Sequence, residues 1–86
     1  NFALKQNFPN PFNPVTTIRY NLPEDTRVSL VVYNVNGQKV RELVNDFKPA
    51  GSYTVTFDAK GLASGVYFYK INAGKFNDVK RMLLIK

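Results

Sequence analysis

Apolar and polar residues alternate with a period of two along most of this chain. Ile18, Tyr20 and Leu22 share one face of a run whose other face carries Thr17, Arg19 and Asn21, the pattern of a half-buried strand. Pro23-Glu24-Asp25 predicts a turn. Val28, Leu30 and Val32 then alternate with Arg27, Ser29 and Val31, and the run continues to Tyr33. Asn36-Gly37 predicts a type I′ hairpin, which needs positive φ at both central residues. Gln38 to Val44 should return antiparallel, with a bulge or a strand end where the alternation breaks between Val40 and Leu43.

Lys48-Pro49-Ala50-Gly51 marks the next turn. Tyr53, Val55 and Phe57 follow, alternating with Ser52, Thr54, Thr56 and Asp58 in the cleanest amphipathic strand of the chain. Gly61-Leu62-Ala63-Ser64-Gly65 reads as a loop whose Leu62 plugs the end of the core. Val66 to Ile71 is apolar on both faces, which predicts a central strand. Asn72-Ala73-Gly74-Lys75 turns the chain into a last strand, Phe76 to Ile85, with Lys80 and Arg81 embedded in it. The fold predicted is all-β: a small antiparallel immunoglobulin-like β-sandwich of about seven strands, with no amphipathic helix. The helix-like spacing of Val40, Leu43 and Val44 is the one place where a helical turn competes with this reading.

The segment Asn7-Phe8-Pro9-Asn10-Pro11-Phe12-Asn13-Pro14 breaks the alternation. Pro9, Pro11 and Pro14 fix φ, remove backbone donors and push the preceding residues toward extended geometry, so neither a helix nor a central strand can pass through. This predicts a stiff ribbon, with Phe8 and Phe12 as its hydrophobic anchors, packed as a clasp on something already folded. The organisation expected is a clasp over residues 1–14 and a sandwich over residues 15–86. Such a clasp suggests an appended module, and an opening Asn1 in place of Met suggests a piece of a longer polypeptide whose export signal lies upstream.

Composition narrows the chemistry. The 86 residues are 44% hydrophobic and 14% aromatic, enough for one core and well away from disorder. There is no His, Cys or Trp. Without Cys there is no disulfide and no thiolate nucleophile or ligand; without His the commonest general base and transition-metal ligand are missing. Ser29, Ser52 and Ser64 have nothing to activate them. Of the acids, only Glu24 and Asp25 are adjacent, and they sit in a turn; Asp46 or Asp58 with nearby carbonyls could hold calcium, though no spacing supports it. No cofactor or catalytic residue is expected, and the chain reads as a non-enzyme. The net charge of +6 comes from twelve basic residues scattered along the chain without interleaved stacking aromatics, so nucleic acid is not the expected partner. No stretch is long and apolar enough to span a bilayer. Most rings fall on inward positions, although Tyr33, Phe68 and Tyr69 can face either way.

Several motifs occur together in order: Phe8-Pro9-Asn10-Pro11-Phe12-Asn13-Pro14, then Thr16-Thr17-Ile18-Arg19-Tyr20, Val32-Tyr33-Asn34, Gly37-Gln38-Lys39-Val40, Pro49-Ala50-Gly51-Ser52-Tyr53, Gly61-Leu62-Ala63-Ser64-Gly65-Val66-Tyr67-Phe68-Tyr69-Lys70 and Lys80-Arg81-Met82-Leu83-Leu84-Ile85-Lys86. Across essentially the whole chain this resembles the C-terminal sorting domain of the type IX secretion system, type A, a relative of the Ig-like domain of flagellar hook-capping proteins. The resemblance implies an address rather than a catalyst. An upstream cargo would be exported to the periplasm, recognised by an outer-membrane translocon and delivered to the cell surface or the extracellular space. In many members a sortase-like peptidase removes the domain and joins the cargo to an anionic lipopolysaccharide. The family's signal lies in the last strands, which carries over to Gly65, Val66, Tyr67 and Lys70, and to Lys80, Leu84, Ile85 and Lys86.

A terminal strand with Lys80, Arg81 and Lys86 projecting would offer a sheet edge, a charge cluster and a chain end in one place, suited to strand addition or edge docking. The same charges on an edge strand could simply prevent aggregation, Gly65 could merely start a strand, and Tyr67 could merely fill the core. Two further functions remain open at this point. Exposed edges could polymerise the module into a structural surface or filament, with the ribbon docking on a neighbour's sheet. The rings could instead form a carbohydrate-binding platform, which the missing Trp weakens.

Overall fold

The computed structural model describes residues 1–86 and contains seven strands and no helix. They are β1 (Ala3–Leu4), β2 (Val15–Leu22), β3 (Thr26–Tyr33), β4 (Lys39–Lys48), β5 (Gly51–Asp58), β6 (Gly65–Ala73) and β7 (Phe76–Leu84). A three-stranded sheet of order β1-β2-β5 packs on a four-stranded sheet of order β4-β3-β6-β7, and every pairing of neighbouring strands is antiparallel. The expected all-β sandwich is the fold. The strand that alternation does not reveal is β1, two residues within the segment expected to be all clasp.

The core follows the predicted faces. Ile18, Tyr20 and Leu22 of β2 meet Val28, Leu30 and Val32 of β3 and Tyr67, Tyr69 and Ile71 of β6, all nearly inaccessible to solvent. The central position expected for Val66 to Ile71 holds, since β6 lies between β3 and β7. Tyr20 and Tyr53, opposite one another on β2 and β5, stack with centroids 5.2 Å apart. Leu62 is half-buried against the core, as the plug reading requires.

Two local expectations are refined. The hairpin at Asn36-Gly37 exists, but its turn is not type I′: no residue other than glycine has positive φ, and Gly37 alone takes the left-handed conformation, with φ 79°. The Gly37 N–H donates to the Asn34 carbonyl and the Asn34 N–H to the Gln38 carbonyl, both at 3.0 Å, the bonding of a type I turn closed by a glycine bulge. The Asn34 Oδ1 accepts the N–H groups of Asn36 and Gln38, which stabilises this longer loop. The β3–β4 register then skips twice, leaving Val40 and Leu43 without direct partners. Each skip moves the next side chain to the other face, so Val40, Leu43 and Val44 all pack against the core. That double bulge accounts for the helix-like spacing in a continuous strand.

Candidate functional site

The ribbon and the last strand meet. The Phe12 N–H donates to the Leu83 carbonyl at 3.0 Å, and the Ile85 N–H donates to the Phe12 carbonyl at 2.9 Å, a parallel bridge between Phe12 and Leu84. The Leu83 N–H donates to the Asn10 Oδ1 at 3.0 Å, and the Gln6 Nε2 donates to the Arg81 carbonyl at 2.7 Å. At the far end of β7, the Val79 N–H is capped by the Asp78 carboxylate. Along the outer edge of β7 the N–H groups of Val79, Leu83 and Ile85 and the carbonyls of Arg81 and Leu83 therefore have partners. Strand addition there, one of the two recognition modes expected, would have to displace the ribbon.

The ribbon is bolted on by side chains as well. Phe12 is fully buried, its ring tilted against Phe57 at 6.0 Å between centroids. Phe8 is not the second anchor expected, because its side chain is 73% exposed. The reason is register: Phe8 exchanges both backbone bonds with Thr17, whose neighbour Thr16 points inward, so the Phe8 ring is carried outward. Asn7 takes the inward position instead. Its Nδ2 donates to the Thr16 Oγ1 and the Pro9 carbonyl, its Oδ1 accepts from Gln6, and its N–H donates to the Tyr69 hydroxyl at 2.7 Å. The Tyr69 hydroxyl donates onward to the Lys5 carbonyl at 2.7 Å. Burial pushes the Tyr69 hydroxyl up to about 12; the Asn7 N–H pulls the other way and the Asp78 carboxylate adds to the rise.

The residues carried over from the family separate onto two faces. Gly65 and Leu84 are opposite each other, as are Val66 and Leu83, Tyr67 and Met82, and Lys70 and Val79. Tyr67 and Leu84 are buried in the core, and the Tyr67 hydroxyl is spent on the Ala63 carbonyl at 2.6 Å. Lys80 does not project beside Arg81. It shares the inward face of β7 with buried Met82 and Leu84, while Arg81 points out, because consecutive strand residues face opposite ways. Inward charge on an edge strand is a device against sheet-to-sheet aggregation. Val66, Lys70 and Ile85 lie on the outward face and Lys86 is exposed, so these four are open to a partner.

That outward face also holds Val79 and Leu83, which are not among the expected signal residues. Val79, Leu83 and Ile85 fall on one face of the strand, with Arg81 between the first two, and are 54%, 38% and 48% exposed. Leu83 lies opposite half-buried Val66, Arg81 opposite half-buried Phe68 and Val79 opposite Lys70, so the apolar stripe is interrupted by two cations. The signal for it was present: apolar residues on both faces of a strand at the sheet edge cannot all be core. Beside the stripe, Asn10 and Pro11 of the ribbon and Val66, Arg81 and Leu83 line a groove of about 420 Å³. Tyr69 faces inward, whereas Phe68 and Tyr33 lie on the outward face of the sheet.

All the carboxylates but that of Glu24 have local occupations. Asp25 accepts the Ala50 N–H, Asp58 the Lys60 N–H and Asp46 the Phe47 N–H, while Glu42 pairs with Lys39 at 3.6 Å. No three acidic side chains converge.

No curated protein matches this chain. Residues 6–86 match the family described as the secretion system C-terminal sorting domain. With a match over nearly the whole chain, and a sandwich whose ribbon and last hairpin carry the motifs noted above, the chain belongs to the family of type IX secretion C-terminal sorting domains.

Proposed function

We propose that this domain delivers an attached upstream polypeptide through the outer membrane to the cell surface, and that the translocon reads it as a folded sandwich through the outward face of β6 and β7. Membership of the family makes it a sorting signal for type IX secretion. Cargo, translocon and any sortase-like peptidase belong to the proposal. The observation that carries the outward-face reading is that Val79, Leu83 and Ile85 are exposed beside a strand edge already occupied by the ribbon. A face remains for recognition where an edge does not. The domain does this without catalysing a reaction: it has no His or Cys to activate a hydroxyl, and five of its six carboxylates already hold a local hydrogen bond or ion pair.

The test is a reporter protein with an ordinary export signal fused ahead of residues 1–86, expressed in a host that has the secretion system. Reporter on the cell surface is the expected outcome. Reporter retained in the periplasm, with the domain folded, would sink the proposal.

A further inference from the structure

The groove between ribbon and hairpin has an unusual ownership. One wall is Asn10 and Pro11; the other is Val66, Arg81 and Leu83, more than fifty residues away in the chain. It exists only when the ribbon is docked, that is, when the Phe12 bridge and the Asn10–Leu83 hydrogen bond are both made. Val66, Met82 and Leu83 supply its apolar lining, and Arg81 lines it with a guanidinium that donates no hydrogen bond and pairs with no acid in the domain, where the single ion pair is Lys39–Glu42. A planar guanidinium beside an apolar concavity matches a carboxylate on a short apolar stem, and can hold it with two parallel hydrogen bonds. The net charge of +6 favours an acidic partner at longer range.

We propose that this groove receives an acidic peptide segment of the sorting partner, with one carboxylate on the Arg81 guanidinium and a neighbouring apolar side chain against Pro11, Val66 and Leu83. A membrane surface fits less well, because the site is a narrow concavity with one guanidinium rather than a broad basic patch. Because one wall is the ribbon, a chain whose ribbon is undocked lacks the site, and the partner thereby discriminates folded from unfolded cargo tags. The inference deepens the sorting reading above and rests on it.

The test uses the 86-residue domain, 15N-labelled, titrated with the peptide acetyl-Leu-Glu-Leu-Asp-Leu-amide and with its Gln/Asn counterpart. Expected are saturable shifts of the Arg81, Leu83, Val66 and Asn10 resonances, with a dissociation constant on the order of 1 mM, from the acidic peptide alone. Arg81→Gln should weaken binding about tenfold and Leu83→Ser severalfold. Lys75→Glu, which removes positive charge at the distant β6–β7 turn, should leave binding within about twofold. Groove resonances unmoved by the peptide, or moved equally by both peptides, would overturn the inference. So would Arg81-dependent binding to phosphatidylglycerol vesicles in place of the peptide. In the reporter assay, failure of the wild-type domain to deliver refutes the sorting reading, whereas delivery undiminished by Arg81→Glu in a folded domain refutes the groove alone.

Discussion

Tyr69 and Asn7 lie 62 residues apart and are joined by a buried 2.7 Å hydrogen bond from the Asn7 N–H to the Tyr69 hydroxyl. The same hydroxyl donates to Lys5, so one side chain of the central strand holds two backbone groups of the ribbon. Tyr69→Phe keeps the ring and strands both groups without partners. An unsatisfied buried backbone group costs about 1–3 kcal/mol. We expect a loss of that order in urea unfolding, a large share of the total for a domain this small. A Tyr69→Phe variant as stable as wild type would mean that water replaces the hydroxyl.

The same hydroxyl gives alkaline stability a definite sign. Its pKa in the folded protein is raised from 10.0 to about 12. The unfolded chain therefore ionises first. The contribution is fully present below about pH 10 and is lost as pH rises through about 12, at a slope no steeper than about 1.4 kcal/mol per pH unit. Tyr20, raised by burial and by Tyr53, acts in the same direction. The stability difference between wild type and Tyr69→Phe should be constant between pH 7 and 9 and shrink above pH 10, measured by urea titration at each pH.

The two phenylalanines of the ribbon should behave as opposites. Phe12→Ala empties a fully buried site against Phe57, at a cost of about 3–5 kcal/mol. It should also free the outer edge of β7, read as faster amide exchange at Leu83 and Ile85. Phe8→Ala removes a ring facing solvent and should change stability by less than about 0.5 kcal/mol.

Glycine substitutions test the two hairpins. Gly37 and Gly74 both hold left-handed φ, 79° and 59°. At Gly37 a methyl group meets nothing, so Gly37→Ala should cost about 1 kcal/mol from backbone conformation alone. At Gly74 the methyl also comes within 3.2 Å of the Thr26 Oγ1, and Gly74→Ala should cost more. Thermal unfolding of the two variants checks the order.

Delivery and folding can be separated on β7. Deleting the chain from Met82 removes the buried side chains of Met82 and Leu84 together with the partners of Phe12, so loss of delivery would follow from unfolding. Val79→Thr with Leu83→Thr alters only outward positions. This pair should leave the unfolding midpoint nearly unchanged while reducing surface delivery of the reporter several-fold. Full delivery by the double variant would count against recognition through the outward face.

Period-two alternation was enough to assign the faces of β2, β3 and β5, because a half-buried strand must segregate its side chains whatever it packs against. The apolar run from Val66 to Ile71 announced a central strand for the same reason, and the ordered motifs from Phe8 to Lys86 carried the family. Tertiary structure decided the rest. Phe8 and Phe12 are equivalent in the sequence pattern, and only the pairing of Phe8 with Thr17 sends one ring to solvent and the other into the core. Local propensity favoured a type I′ turn at Asn36-Gly37, and the bulged register of β4 with the Asn34 side chain selected another. Above all, nothing local indicates that the ribbon closes the edge of the last strand. That contact joins residues some seventy positions apart, and its bonds form only once both sheets have brought the two ends of the chain together.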